Sequence, residues 1–190
     1  MSAAAPNPVA TSFQTRDGLN LAADRWNPAG QVADGQVVLL FHGGGQTRHA
    51  WGGAAERLAA AGWTAYTIDQ RGHGESDWHP GGAYEIDRFA EDVRDICQSF
   101  PKPPAVVGAS LGGISSLLAQ GESDADILSA LVLVDITPRV EKAGVERIIN
   151  FMAEKAETGF ATLEECADYV ASYLPHRKRP KDLSGLMKNL

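Results

Sequence analysis

Short runs of apolar residues constrain the fold of this chain more than any other feature of its sequence. They lie at Val37–Phe41, Ala105–Val107 and Leu131–Val134, and Trp63–Ile68 forms a further extended segment. A strand that is apolar throughout is buried on both faces, as in a parallel sheet with helices on each side. Because helical patterns separate these runs, the sequence predicts an α/β fold with a doubly wound, mostly parallel sheet.

The segments around these strands predict the rest of a core. Helices are predicted over residues 50–61, 86–100 and 111–120. Gly62 is expected to end the first helix in the left-handed conformation. Asp17 and Gly18 join two extended segments, residues 11–16 and 19–26, and predict a hairpin in which both turn residues have positive φ.

A Gly-Ala-Ser-Leu-Gly sequence at residues 108–112 follows the strand Ala105–Val107. A central serine with glycine two residues before and after it fits a sharp, strained strand-to-helix turn that exposes the hydroxyl. The pattern makes Ser110 a candidate nucleophile. The spacing by itself leaves another interpretation open, a glycine-rich helix entry that binds a phosphate or no ligand.

A second glycine-rich segment, His-Gly-Gly-Gly-Gln at residues 42–46, follows the strand Val37–Phe41. Acyl transfer needs two backbone N–H groups aimed at the developing oxyanion, one after the nucleophile and one from a loop of this kind. Leu111 supplies the first candidate and Gly44 the second, with Gly45 as the alternative. His42 is predicted to hold the loop.

A third segment, Asp-Gln-Arg-Gly-His-Gly-Glu-Ser at residues 69–76, follows the strand Trp63–Ile68. With H-G-G-G, D-x-R-G-H-G-x-S and G-x-S-x-G in this order, each after a strand, residues 11–138 resemble the α/β-hydrolase superfamily. The similarity is to its capped, serine-nucleophile, esterase- and lipase-like members. It implies an α/β-hydrolase sheet and a structural role for Asp69, Arg71 and His73.

The serine also favours a class of reaction. Relatives that open epoxides or remove halides have an aspartate where this chain has Ser110, whereas a serine suits acyl transfer through a tetrahedral intermediate. Hydrolysis of small carboxylic esters or thioesters is therefore the predicted reaction, without a cofactor or a metal. Perhydrolysis, C–C bond cleavage and cyanohydrin cleavage use similar machinery and stay open.

A serine nucleophile needs a histidine base and an acid that orients that base. In this superfamily the acid follows the nucleophile, and the histidine lies near the C-terminus. Asp135, directly after Leu131–Val134, is the candidate acid, because a subset of small esterases similar in the Val-Asp-Ile-x-Pro segment uses this position. A structural aspartate at the entrance to the next segment is the alternative.

The histidines do not fit the expected place of the base. Four precede Ser110, namely His42, His49, His73 and His79. His176 lies in a basic stretch typical of a solvated loop. We expect the chain to be the N-terminal part of an enzyme and to lack this histidine. It is then completed by a complementary C-terminal chain, or is truncated, or is a minimal protein that recruits His176. A non-catalytic small-molecule-binding scaffold is the alternative function.

The sequence after the last strand differs from the core, residues 1–138. Residues 139–190 are expected to begin a helical cap, incomplete like the sheet, with helices over 140–157 and 162–173. Thr162 and Glu165 have the spacing of a capping box at the second helix. With this cap, Trp51 and Trp78 are expected to wall an apolar acyl pocket.

Composition excludes several classes of function. The net charge of −7 argues against nucleic acid as a partner, because phosphate binding needs a clustered positive surface. No apolar run approaches the ~20 residues of a membrane span, and the first ten residues do not resemble a secretory leader. Cys97 and Cys166 are too far apart in sequence to suggest a metal motif, and a reducing cytoplasm suits them.

Overall fold

The computed structural model describes residues 7–28, 36–155, 157–173, 175–176, 178–179 and 181–187. The chain divides into two compact units, one ending at Pro138 and one beginning at Arg139. The six strands are β1 (Val9–Gln14), β2 (Asn20–Trp26), β3 (Val37–Phe41), β4 (Thr64–Ile68), β5 (Ala105–Ala109) and β6 (Ala130–Val134). The helices are α1 (Gly52–Ala60), α2 (Ile86–Gln98), α3 (Leu111–Gly121), α4 (Lys142–Glu154), α5 (Leu163–Tyr173) and α6 (Ser184–Met187).

The first unit is built on one six-stranded sheet in the order β1-β2-β4-β3-β5-β6. Strands β4, β3, β5 and β6 are parallel, and the β1–β2 hairpin joins antiparallel at the β4 side. The predicted doubly wound, mostly parallel sheet is therefore confirmed. From β3 the chain continues to β4 on one side and later to β5 on the other, so the strand order reverses at β3. In such sheets ligands bind at this point, beyond the carboxyl ends of the strands.

The sheet is packed on both faces because its central strands are apolar on both. Leu39 and Phe41 of β3 belong to a buried cluster with α2 and α3. Val38 and Leu40 of the same strand belong to a second cluster with Ala55 of α1. Side chains alternate across a strand, so the continuous apolar run of β3 places one pair in each layer.

The β1–β2 hairpin is present, but its turn differs from the predicted one. Gly18 N–H donates to Thr15 O at 3.0 Å, so the turn spans four residues, Thr15 to Gly18. Gly18 has φ of +89°, whereas Asp17 is not among the residues with positive φ. The expectation that both Asp17 and Gly18 have positive φ was wrong, because the longer turn needs only one such residue.

In the connection from β3 to β4, the α-helix begins later than the predicted residue 50. Residues Arg48–Trp51 form a 3₁₀ turn, and α1 follows from Gly52. The predicted cap at Gly62 is confirmed, with φ of +95°. Trp63 N–H donates to Leu58 O at 3.0 Å and Gly62 N–H to Ala59 O at 3.1 Å, the paired bonds of a Schellman motif.

The last strand of the described sheet is less buried than its sequence predicted. In β6, Val132 is 52% exposed and Val134 is 36% exposed. Val132 pairs with Val107, whose neighbours belong to the α1 layer, so this face of β6 lies beyond the reach of α1. The prediction of a fully buried strand at residues 131–134 was therefore wrong for the described chain.

The second unit contains α4, α5 and the short α6. The capping box of α5 is present: Glu165 N–H donates to Thr162 Oγ1 at 3.1 Å. The Glu165 carboxylate accepts from Ala161 N–H at 2.9 Å, one residue before the expected donor. Across the part of the chain that the structure describes, no helix has the length and apolar character needed to cross a membrane.

Candidate active site

Ser110 is the single residue that connects β5, which ends at Ala109, to α3, which begins at Leu111. Its φ of 44° and ψ of −110° lie outside the favoured regions for a residue with a β-carbon. The side chain is exposed at the carboxyl end of the sheet, where strand order reverses. The backbone therefore presents the Ser110 hydroxyl to the outside of the first unit.

Glycines around Ser110 permit this turn because α3 approaches β5 and β3 closely. A β-carbon at Gly108 would lie 2.5 Å from Gly112 O, and one at Gly112 would lie 2.6 Å from Phe41 Cβ. Gly113, which the sequence pattern did not single out, is equally confined, 2.7 Å from Ile136 Cγ2. The only signal for Gly113 was a second consecutive glycine at the helix start.

Backbone hydrogen bonds tie the turn to both neighbouring strands. Ser110 N–H donates to Val134 O at 3.2 Å, and Gly112 N–H donates to His42 O at 3.2 Å. Within the described residues, Leu111 N–H between them has no acceptor. It is one of the first N–H groups of α3, which have no partner inside a helix.

The loop after β3 is a tight turn closed by Gln46. Gln46 N–H donates to Gly43 O at 3.1 Å, and Gly45 has φ of +72°, as the third residue of a type II turn requires. The Gln46 side chain accepts from Gly43 N–H through Oε1 at 3.0 Å. A β-carbon built on Gly43 would lie 3.4 Å from Ser110 Cβ, so the turn runs beside the nucleophile.

The N–H groups of the glycine turn have different partners. Gly45 N–H donates to His73 Nε2 at 3.2 Å. For Gly44 N–H, no acceptor lies among the residues that the structure describes. A β-carbon on Gly44 would be 4.0 Å from Leu111 Cδ2, which places Gly44 beside the start of α3. Of the two candidate glycines, Gly44 therefore has the N–H that is open to a ligand.

His42 is locked inside the protein. It is fully buried, its Nε2 accepts from Gln70 N–H at 3.1 Å, and its Nδ1 lies 2.8 Å from Gly43 O. A backbone N–H can only donate, so Nε2 carries no proton and Nδ1–H donates to Gly43 O. Burial lowers the pKa of His42 from 6.5 to about 4, so the ring is neutral near pH 7. His42 therefore holds the loop, as predicted.

The charged side chains of the segment at residues 69–76 are bonded within the protein. Asp69 is fully buried and accepts from Arg48 N–H at 2.5 Å and from Glu75 N–H at 3.0 Å. Arg71 forms two hydrogen bonds to the buried Asp92, at 2.6 and 2.5 Å. These bonds occupy both charged side chains, in agreement with the structural role inferred for them.

A pocket of about 340 Å³ opens beside the nucleophile. It is lined by Gly43, Gly44, Gln46, Ala50, Trp51, Ala109, Ser110, Val134 and Asp135. Trp51, which was expected in the wall of a pocket, lines this one. Trp78 does not line this pocket and is 71% exposed, so its assignment to the pocket wall was wrong. No histidine of the described chain lines the pocket.

Asp135 begins the chain after β6 and is the second strained residue of the site. Ser110 and Asp135 are the non-glycine residues of the described chain with positive φ, at 44° and 53°. Ala109 pairs with Val134 in the parallel ladder, so the next residue on each strand, Ser110 and Asp135, stand side by side. Strained backbone of this kind is concentrated at functional sites.

The remaining histidines have other surroundings. His79 Nδ1 accepts from Gly81 N–H at 3.1 Å and from Ala83 N–H at 3.2 Å. His49 is exposed, and His176 belongs to the second unit. Among the described residues, no group of three or more histidine, cysteine or acidic side chains could hold a metal ion.

Comparison with known proteins places these features in a family. A family model described as the alpha/beta hydrolase fold matches residues 36–181. An esterase of Mycobacterium tuberculosis is 30% identical over 161 residues, which cover 80% of this chain and 51% of the esterase. A monoacylglycerol lipase of Mycolicibacterium smegmatis is 32% identical over 127 residues, 64% of this chain and 44% of the lipase. The chain spans about half the length of these curated relatives.

Solved structures share the fold. An alpha/beta hydrolase from Novosphingobium aromaticivorans superposes with a TM-score of 0.76 at 22% identity, over 96% of this chain and 62% of the other. A structure of an M. tuberculosis esterase gives a TM-score of 0.66 at 25% identity and covers all of this chain and 61% of the other.

Proposed function

This chain belongs to the α/β-hydrolase fold family, and from that membership we propose that it is a serine hydrolase of small carboxylic esters or thioesters. Its curated relatives are esterases, lipases and other hydrolases. The observation that carries the proposal is the placement of Ser110, exposed on a strained turn and lining a pocket together with Gly44. Ala50, Trp51 and Val134 give this pocket an apolar wall suited to a short acyl chain.

The proposed reaction proceeds through an acyl-enzyme on Ser110. Its Oγ attacks the ester carbonyl carbon while its proton passes to a histidine base, and the C=O electron pair moves onto the oxygen. The N–H groups of Gly44 and Leu111, both without partners in the described chain, donate to this oxyanion. Collapse expels the alcohol, or the thiol of a thioester, which takes the proton, and water then repeats the sequence to release the acid.

Asp135 is the proposed acid that orients the base. It lies beside Ser110 at the end of the adjacent strand, lines the same pocket, and is exposed. A carboxylate there can accept the second ring N–H of a histidine whose other nitrogen faces Ser110. A histidine outside the first unit is the proposed base, because both ring nitrogens of His42 and of His73 are already bonded within the loops, and neither His49 nor His79 lines the pocket.

The proposal is tested by p-nitrophenyl acetate hydrolysis with Ser110→Ala. Because the acyl-enzyme needs this hydroxyl, we expect turnover to fall on the order of 10³-fold or more, and a fluorophosphonate to add one label to the parent protein and none to the variant. Asp135→Asn should lower kcat on the order of 10²-fold or more with the pocket intact. Ser123→Ala, outside the pocket, is the matched control and should change neither result.

The base and its source need a separate measurement. The native mass of the active particle and the activity of His176→Gln distinguish two sources. A second chain in the particle indicates a complementary C-terminal chain, whereas loss of turnover in His176→Gln indicates a recruited His176. A single 20.2 kDa species without Ser110-dependent turnover would overturn the catalytic proposal. It would favour the second candidate, a scaffold that binds small molecules, which the histidine-free lining of the described pocket supports.

A further inference from the structure

We infer that Gln46 and His73 are positioning residues, which hold the glycine turn so that the N–H of Gly44 is presented to the substrate oxyanion. The inference rests on the proposed function. Neither side chain belongs to the nucleophile, acid or base described above. Both act through the backbone of the three consecutive glycines, Gly43 to Gly45.

The orientation of Gly44 N–H is set through the carbonyl of the same peptide group. Gly43 C=O and Gly44 N–H lie in one planar trans peptide and point in opposite directions. Gly43 O accepts from His42 Nδ1–H at 2.8 Å and from Gln46 N–H at 3.1 Å. Because two donors fix the carbonyl on one side, the N–H is fixed on the other.

The Gln46 side chain holds the preceding peptide. Its Oε1 accepts from Gly43 N–H at 3.0 Å, which fixes the amide orientation, since only the oxygen can accept from an N–H. Gln46 thus binds Gly43 at both its N–H and its C=O. The Gly43 N–H, the nearest competitor for a ligand, is occupied by this bond.

His73 holds the peptide on the other side of Gly44. Its Nε2 accepts from Gly45 N–H at 3.2 Å, while Nδ1 lies 2.9 Å from Arg71 O, so the proton sits on Nδ1. The ring packs 5.0 Å from the ring of the buried His42. The Gly44–Gly45 peptide is the one whose rotation interconverts type I and type II turns, and His73 fixes it in one orientation.

The turn therefore has a bonded, an unpaired and a bonded N–H in succession within the described chain. A donor already fixed in direction costs no reorganisation when charge develops on the substrate, which is the main advantage of an oxyanion hole. If either side chain loses its acceptor, the peptide group on that side of the Gly43–Gly44 peptide can rotate, and the turn that directs Gly44 N–H is held by fewer bonds. A displacement of about 1 Å in such a group can cost on the order of 10²-fold in rate.

Amide hydrogen exchange, resolved by NMR, tests the clamp whether or not the chain is active. In the parent protein Gly43 and Gly45 should exchange at least about tenfold more slowly than Gly44, because hydrogen-bonded amides are protected. Gln46→Met should release Gly43, and His73→Phe should release Gly45. Gln46→Glu and His73→Gln keep an acceptor at the same distance along the side chain and should restore protection.

Hydrolysis of an ester and of its thionoester tests the link to catalysis. The thionoester sulfur is a poor hydrogen-bond acceptor, so the ratio of their kcat/KM values reports on the oxyanion donors. Gln46→Met and His73→Phe should lower kcat about tenfold or more with little change in KM, and should shrink this ratio. Gln120→Met is the control: Gln120 Oε1 accepts from Ile127 N–H and Leu128 N–H away from the site. Its variant should lose stability and keep the ratio.

The outcomes separate the two proposals. Equal exchange of the three glycine amides, or an unchanged ester-to-thionoester ratio in the clamp variants, would overturn the role of Gln46 and His73. Absence of Ser110-dependent turnover in the parent protein, with the exchange pattern as expected, would overturn the proposed function and leave the clamp as a feature of the loop.

Discussion

Around Ser110, packing leaves no space for a β-carbon on the flanking glycines. Gly112 meets Phe41 of β3 and Gly108 meets the backbone of α3, in each case at less than 3 Å from a built β-carbon. Neither contact can relax by moving the end of a flexible side chain, because backbone atoms and a β-carbon are involved. On steric grounds, therefore, only glycine fits at these two positions of the turn.

Gly112→Ala should lower the free energy of unfolding by about 1–3 kcal/mol, because the added methyl overpacks the contact with Phe41. Urea unfolding checks this. Gly53→Ala is the matched control, since Gly53 also lies in a helix but has no atom within 4 Å of a built β-carbon. That variant should gain about 0.5–1 kcal/mol from helix propensity. A Gly112→Ala protein as stable as its parent would contradict the close approach.

The spacing of the three motifs was enough to propose Ser110 as the nucleophile and Gly44 and Leu111 as the oxyanion donors, because each motif specifies a backbone geometry that residue identity can indicate. Asp135 was proposed as the acid from its position after a strand, but its positive φ was not predicted, since nothing in the residue type requires it. The Gln46 side chain bonds to Gly43 within its own turn, whereas the bond from Gly45 N–H to His73 joins segments 28 residues apart in sequence. Such pairings depend on the packing of loops, which a pattern in one segment cannot specify.

At the scale of elements, the carboxyl ends of β3 and β4 are connected by His42. The imidazole accepts from Gln70 N–H, two residues after the end of β4, and donates to Gly43 O, two residues after the end of β3. The bounds of the parallel strands were predictable to within two residues because apolar runs report burial directly, whereas β1 lies two residues before the predicted segment 11–16, since its side chains are mostly exposed. The exposure of β6 was not predictable, because its sequence is as apolar as that of a central strand and only neighbouring elements decide what covers it.

The burial of His42 predicts a loss of stability in mild acid. Its pKa is about 4 in the folded protein and near 6.5 when unfolded, so the unfolded chain takes up the proton first as pH falls. The free energy of unfolding is therefore unaffected by this proton above pH 6.5. It falls by about 3 kcal/mol as the pH is lowered from 6.5 to 4. Urea unfolding of the parent and of His42→Gln at pH 7 and pH 4.5 measures it.

The parent should lose this advantage over His42→Gln as the pH is lowered. An unchanged difference between the two proteins would show that His42 is not held neutral. Should His42→Gln fail to fold, NMR titration of the His42 ring in the parent protein gives the same answer from its folded-state pKa.

For the whole molecule, the two units differ in how much apolar surface they bury. The buried apolar residues of the described chain lie almost all before Pro138, and the second unit contributes only Cys166 and Ala167. Since burial is the main stabilising contribution, we expect the second unit to unfold more easily. Its assignment as a cap over the site stays a proposal.

The two cysteines allow this to be measured, because each unit contains one. Cys97 and Cys166 are both buried, and burial raises the pKa of Cys97 to about 12, so neither thiol should react in the folded protein. With rising urea, we expect Cys166 to react with Ellman's reagent before Cys97, using Cys97→Ser and Cys166→Ser to separate the signals. A single transition for both thiols would contradict independent unfolding.

The strained backbone at Ser110 and Asp135 has a consequence for the evolution and engineering of this chain. Each residue has a positive φ, which costs on the order of 1–3 kcal/mol for a residue with a β-carbon. A selection that rewarded heat resistance and ignored hydrolysis would therefore favour glycine at these two positions. Such a selection would remove the proposed nucleophile and acid first, so thermostable variants of this protein need to be screened for activity in every round.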